Sequence, residues 1–268
     1  MLNAQCLMIN DLSLLMNNQL TVKWYGTNAL EFKHAHGSFM IDPYVSRDNK
    51  RFCVPSEVDK YLTSKPDFVL MTHAHWDHLP DMPYLIKKTD TVLYASRTAC
   101  NIMRSFDVPE KNLHELTYGE VIEMPGGVFV TALESRHMGS DDLQPCYDAP
   151  PPLETLNRCS AWRCGEVFSF VIELEGKTLM NIGSANIHVP SMSGSDCDWL
   201  FCGISRWKPG FPDLLMRNIH FKCLIPTHHD EFTVPLDQTY IRDDLDRLKQ
   251  AIPNLNAHQL PIAQWEML

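Results

Sequence analysis

Residues 72–78 read THAHWDH, which puts four side chains able to ligate a metal, His73, His75, Asp77 and His78, into seven positions. Imidazole nitrogens and a carboxylate suit zinc, and also iron or manganese. On extended backbone His73 and His75 are two apart and point to one side. Where the chain then turns into a helix, Asp77 and His78 are redirected toward a neighbouring point. The spacing therefore predicts two adjacent ligand pairs, and with them two adjacent ions. A helix N-terminus with Asp77 as a first-turn anion is the plainer alternative, but it leaves unexplained why four donors crowd around one Ala and one Trp.

The elements that must hold this motif follow from hydrophobic patterning. It directly follows the apolar run DFVLM and precedes a helical pattern, the mouth of a strand in an α/β arrangement, where ligands usually bind. Alternation and short apolar runs predict strands over 20–25, 29–34, 38–42, 67–72, 91–95, 127–133, 167–174, 177–182, 198–203 and 221–226. Helical patterns occupy 56–62, 81–88, 97–106, 212–219 and 243–252, the last with Leu245, Leu248 and Ile252 on one face. The first three strands are close enough to be hairpin-linked, and the Gly176-Lys177 turn begins a second half. No linker or charge block separates the halves, so one layered domain over 1–268, two sheets between outer helices, is expected. Residues 138–165, with Pro150, Pro151 and Pro152, form an insertion longer than an ordinary loop of about 12–15 residues. Such a segment is a lid or a disordered excursion, and its position directly after a candidate ligand favours a lid near the site.

Composition narrows the partners. With 44% apolar and 21% charged residues the chain reads as globular. Its 23 Lys and Arg against 33 Asp and Glu give a net charge of −10, which opposes nucleic acid and anionic membranes. The nine cysteines are scattered without CxxC spacing, which fits a reducing compartment; only Cys159 and Cys164 stand close enough to watch. The LSLLM run near the N-terminus is shorter than the roughly 7–15 apolar residues of a signal peptide, and nothing reaches transmembrane length. A cytoplasmic protein with a small-molecule substrate is expected, its homo-oligomerisation left open.

Taken in order, VKWYGTNALEF (22–32), FMIDPYVSR (39–47), THAHWDH, SRHMG (135–139), NIGSAN (181–186) and PTHHDEF (226–232) resemble the metallo-β-lactamase superfamily. The resemblance lies within the broad group that includes ascorbate-6-phosphate lactonase and N-acyl-phosphatidylethanolamine phospholipase D. It implies an α/β fold, a four-layer αββα sandwich. It also implies a first metal site of His73, His75 and His137 and a second of Asp77, His78 and His228. His228 rather than His229 takes the ligand position because the family pattern is proline, any residue, histidine. His229 and Asp230 would stand behind the ligands or face substrate. Asp42, ending a strand in MIDP, would support a ligand histidine by hydrogen bonding.

At NIGSAN the family commonly has an aspartate that bridges both metals, and this chain has Ser184. Two dications with Asp77 and a hydroxide keep two net positive charges, where a bridging aspartate would leave one. The second ion should therefore bind more weakly, and an anionic substrate group is favoured to complete the site. The same variant recurs in hydrolase-like members of the group, so Ser184 does not by itself predict inactivity. The expectation is a metal-dependent hydrolase holding one or two ions, zinc first and manganese or iron as alternatives. A metal-bound hydroxide, oriented by Asp77, would attack a small ester, lactone or phosphodiester. The alternative is a metal-binding pseudoenzyme or sensor that lost catalysis with the bridging aspartate. Trp207, Phe211 and the insertion are candidates to wall the pocket, and Arg136 and Arg206 to meet an anion.

Overall fold

Strand patterning dictates which layer each side chain enters. In the computed structural model, which describes residues 20–138 and 144–268, the first sheet contains β1 (Thr21–Trp24), β2 (Leu30–His34), β3 (Gly37–Ile41), β4 (Phe68–Leu70), β5 (Val92–Ala95), β6 (Leu113–Glu115) and the C-terminal β13 (Trp265–Met267). Their order is β13-β1-β2-β3-β4-β5-β6. The first part is an antiparallel meander, and β3 to β6 run parallel. The second sheet repeats that division with β7 (Val121–Met124), β8 (Val128–Glu134), β9 (Phe168–Leu174), β10 (Lys177–Ile182), β11 (Ser195–Gly203) and β12 (Ile219–Thr227), in the order β12-β11-β10-β9-β8-β7. Here β7 to β10 are antiparallel and β10 to β12 parallel. The parallel connections carry α1 (Pro55–Tyr61), α2 (Met82–Thr89) and α3 (Arg97–Ser105) on the first sheet. On the second they carry α4 (Val189–Met192) and α5 (Phe211–Asn218), followed by α6 (Asp244–Ala251).

Period two then builds three cores. Phe39 and Ile41 of β3 enter the space between the sheets, together with Phe32, Phe68, Val130, Phe170, Phe201 and Ile225. Met40, between them in sequence, points the other way and packs with Val69, Leu85, Ile86 and Ile102 under α2 and α3. On the second sheet Leu179 and Phe201 face the central core, whereas Met180, Leu200 and Cys202 face Leu215, Leu245 and Leu248 of α5 and α6. Helices, sheet, sheet, helices is the four-layer αββα sandwich expected from the resemblance.

The β9–β10 hairpin closes on Glu175 and Gly176, with φ of +52° and +73° between the paired Leu174 and Lys177. Positive φ at both loop positions is the primed turn that matches strand twist. Three strands escape hydrophobic reading, β6, β7 and β13. They lie at sheet edges and present partly covered or exposed side chains, with the patterns iie, eieB and eie. Edge strands bury one face at most and so carry little apolar signal.

Of the predicted insertion, residues 144–165 are folded onto α3. Asn101 Nδ2 donates to the Tyr147 carbonyl at 2.8 Å and Ser105 Oγ to that of Pro151 at 2.6 Å. Trp162, 2% exposed, packs against Phe52 and Phe106. Residues 139–143 of the insertion, the N-terminal LSLLM run and Cys6 lie outside the described residues. No helix among the described residues is long and apolar enough to cross a membrane.

Candidate metal centre

The candidate ligands all follow carboxyl ends of strands at one rim of the sandwich. Asp42 follows β3, the THAHWDH motif follows β4, His137 follows β8, Ser184 follows β10 and His228 follows β12. After Thr72 the chain leaves the sheet and coils once. The His78 and Leu79 amides donate to the His75 carbonyl at 3.0 and 3.1 Å. That turn swings Asp77 and His78 away from the direction of His73 and His75. Close packing holds the rim together, since a Cβ on Gly183 would lie 2.6 Å from Thr72 Oγ1 and one on Gly203 2.7 Å from the Gly183 carbonyl.

Asp42 organises the buried side of the motif. It is fully buried at φ +45°. It accepts hydrogen bonds from Asn28 Nδ2 at 2.8 Å, from the Thr72 amide at 2.7 Å, from the Thr72 hydroxyl and from His78 Nδ1 at 2.8 Å. With the Thr72 proton given to Asp42, His73 Nδ1 must be the donor in its 3.0 Å contact with Thr72 Oγ1. Both histidines are thereby fixed as Nδ1–H tautomers, each with a bare lone pair on Nε2. Those two Nε2 atoms are buried and have no hydrogen-bond partner. Leaving a buried polar nitrogen unmatched costs about 1–3 kcal/mol, a cost a bound cation removes.

Donor atoms of His73, His75, His137 and Cys164 all lie within 4.8 Å of one another, as do those of Asp77, His78 and His228. The His73 and His78 ring centroids are 4.0 Å apart, so the two groups are contiguous. Electrostatics prepares them for a cation. Burial, then the neighbouring imidazoles, holds His73 well below its ordinary value. Burial and the adjacent His137 push His75 down to about 3, and burial and His78 push His137 down to about 4. Burial opposes ionisation of Asp77, but His78 and His228 outweigh it and hold the carboxyl well below the usual carboxylate range. Burial likewise opposes charge on His78, and Asp42 and Asp77 outweigh it to raise that group. Neutral imidazoles at His73, His75 and His137 beside an ionised Asp77 are the states in which such side chains bind metal, whereas His78 would have to give up any second proton to an incoming ion. The residues present therefore fit a metal centre.

A cleft opens over the cluster, lined by His75, Asp77, His137, Ser184 and His228 and walled by Trp76, Met138, Arg206 and Phe232. The His228 ring nitrogen Nε2 is 3.3 Å from Asp77 Oδ2. Ser184 lies at the rim, but its hydroxyl accepts the Met138 amide at 3.0 Å. His229 and Asp230 are not brought to the cleft. His229 is fully buried and stacked on Trp24 at 5.2 Å, and Asp230 is paired with Arg47 at 2.7 Å. Phe211, the first residue of α5, is buried in the outer core and Trp207 donates to the Asp244 carbonyl; neither is among the residues lining the cleft. Arg136 is held by Glu134 at 2.7 Å. Trp76 and Phe232 escaped notice although both stand inside recognised motifs. Cys164 could not be placed from its spacing, because nothing local joins it to histidines 27 or more positions away.

Comparison with known proteins agrees with this geometry. The family profile described as beta-lactamase superfamily domain matches residues 38–223. A UPF0173 metal-dependent hydrolase of Staphylococcus aureus is 24% identical over 244 residues, covering 87% of this chain and 93% of that protein. A protein of the same description from Methanopyrus kandleri is 32% identical over 107 residues, 40% of this chain and 43% of that one, so the match spans less than half of its length. Among solved structures, a metallo hydrolase from the hyperthermophilic archaeon Ignicoccus hospitalis superimposes with a TM-score of 0.60 at 14% identity, covering 94% of this chain and 99% of that one. At such identity the likeness is one of fold.

Proposed function

The chain belongs to the beta-lactamase superfamily, and from that premise we propose that it is a metal-dependent hydrolase acting on a small, anionic ester, lactone or phosphodiester. The observation that carries this reading is the pair of bare, buried Nε2 atoms of His73 and His78 at the junction of two donor groups. His73, His75 and His137 would hold one ion and Asp77, His78 and His228 a second, with zinc best suited to so many imidazoles and manganese or iron as alternatives. Such ions supply a Lewis acid for a substrate oxygen and bring the ionisation of water to a pKa of about 7.

The chain's own residues do the rest. Asp42 and Thr72 keep the Nδ1 protons of His78 and His73 in place, so the ligating nitrogens cannot tautomerise away. Asp77, at the cleft, would orient the attacking water and help move its proton. Arg206 at the mouth offers a cation to a substrate phosphate or carboxylate. Trp76, Met138 and Phe232 exclude water around the reacting group. The scattered cysteines and the acidic balance support a cytoplasmic setting without nucleic acid.

Metal analysis of the purified protein beside Ser184→Asp and His75→Ala, followed by a panel of lactones, phosphodiesters and phosphomonoesters, tests the reading. The expected outcome is one tightly held ion in the natural protein rising toward two in Ser184→Asp, loss of metal in His75→Ala, and faster turnover of anionic than of neutral analogues. Two firmly bound ions in the natural protein would overturn the charge argument at Ser184. Metal without hydrolysis of any analogue would favour the non-catalytic alternative.

A further inference from the structure

We propose that Cys164 is a fourth protein ligand to the ion held by His73, His75 and His137. The proposal rests on the reading of this cluster as a metal centre and extends it to a residue from a separate segment. Cys164 is the penultimate residue of the 144–165 segment, is 1% exposed and is a free thiol. Its sulfur lies within 4.8 Å of a donor nitrogen on each of the three histidines. The arrangement is built by several contacts. The Ala74 amide, between the two leading histidines, donates to the Cys164 carbonyl at 2.9 Å. Gly165 turns the chain at φ +70°, where a Cβ would come within 2.4 Å of Thr98 Cβ, and its amide donates to the Pro145 carbonyl at 3.0 Å. A second sign of a missing ligand is on His73, a member of the same four-residue group, which is 1% exposed and whose Nε2 has no partner.

Three imidazoles and one thiolate are donors that zinc accepts, with nitrogen at about 2.0 Å and sulfur at about 2.3 Å. No two of the four donor atoms are more than 4.8 Å apart, so a closure of at most about 1–1.5 Å lets all four share one ion at those lengths. The charge consequence bears on Ser184. A coordinating thiol is deprotonated, so Cys164 adds one negative charge on the side of the first ion. That equals the charge which the family's bridging aspartate would have brought and Ser184 does not. The added charge lies on the first ion alone, so the second still lacks the anionic bridge and stays the more weakly held of the two. Four protein ligands would also close that position, so hydrolysis would require the more weakly held ion on the side of Asp77 and His228 to be bound as well.

Cobalt(II) titration of the metal-free 268-residue chain, followed by optical absorption, tests this without reference to activity. The natural protein is expected to develop visible d–d bands and, with the first equivalent, a near-ultraviolet thiolate-to-cobalt charge-transfer band. Cys164→Ser is expected to keep the d–d bands and lose the charge-transfer band, with affinity for the first equivalent lowered at least about 10-fold, the smallest loss usual for an outer-shell group. Cys146→Ser and Cys159→Ser, in the same segment, are expected to keep the band. Visible bands without charge transfer in the natural protein would overturn the proposal and leave the metal centre standing. Persistence of the band in Cys164→Ser would overturn it as well. Absence of any cobalt spectrum at saturation would overturn both readings. The first of these measurements needs no variant to fold.

Discussion

Asp42 shows how one residue sets the state of several others. Its carboxylate takes donors from Asn28, Thr72 and His78, so the proton that decides which nitrogen of His78 faces the cluster is held from behind. Asp42→Asn preserves the shape and tolerates the left-handed backbone at this position, but it removes the charge that makes the Nδ1–H bond strong. We expect metal affinity at the Asp77–His78–His228 group to fall by about 10–100-fold with the fold intact, measured by chelator competition and far-ultraviolet circular dichroism. Unchanged affinity would mean that the hydrogen bond orients nothing.

At the scale of elements, the loop after β12 that carries His228 is tied to the β1–β2 turn. Arg47 Nη2 meets Asp230 at 2.7 Å and the Tyr25 carbonyl at 2.9 Å, and Asp230 also accepts the Thr27 amide at 2.8 Å. The His228 amide donates to the Thr27 carbonyl, while Arg242 binds the carbonyls of Asp230 and His228. Gly26 at φ +84° leaves the space this needs, because a Cβ there would sit 1.7 Å from Arg47 Nη2. Both partners of the Arg47–Asp230 pair are fully buried, and a buried charge deprived of its partner is strongly destabilising. Arg47→Met should therefore cost about 3–5 kcal/mol in urea denaturation. A loss under about 1 kcal/mol would place the pair in the class of solvated surface bridges.

For the molecule as a whole, the burial of neutral histidines makes stability depend on pH. His229 is fully buried against Trp24, neither ring nitrogen has a partner, and burial pushes its pKa down to about 4. The unfolded value is about 6.5, so as pH falls the unfolded chain takes up this proton first. The stabilisation is complete above about 6.5 and is lost as pH falls through about 4, on the order of 3 kcal/mol for the one group. His75 and His137 act in the same direction when no metal is bound. The metal-free protein should show a denaturation midpoint that drops between pH 6.5 and 4, and His229→Phe should flatten part of that drop. An unaltered acid limb in His229→Phe would assign the effect to the metal-binding histidines alone. Much of this molecule was legible from its residues, because strand periodicity and the spacing of HxHxDH are local. The ten predicted strands, the longer helices and the clustering of His73, His75, Asp77 and His78 after β4 all rest on separations of a few residues. Tertiary structure alone decided what depends on distant segments meeting: that Asp42 stands behind His78, that the Ser184 hydroxyl is taken by Met138, that His229 and Asp230 turn inward, and that Cys164 completes the group around His73. Those contacts join segments tens to nearly two hundred residues apart, and only the stacking of two sheets fixes such pairings, for which no local pattern exists.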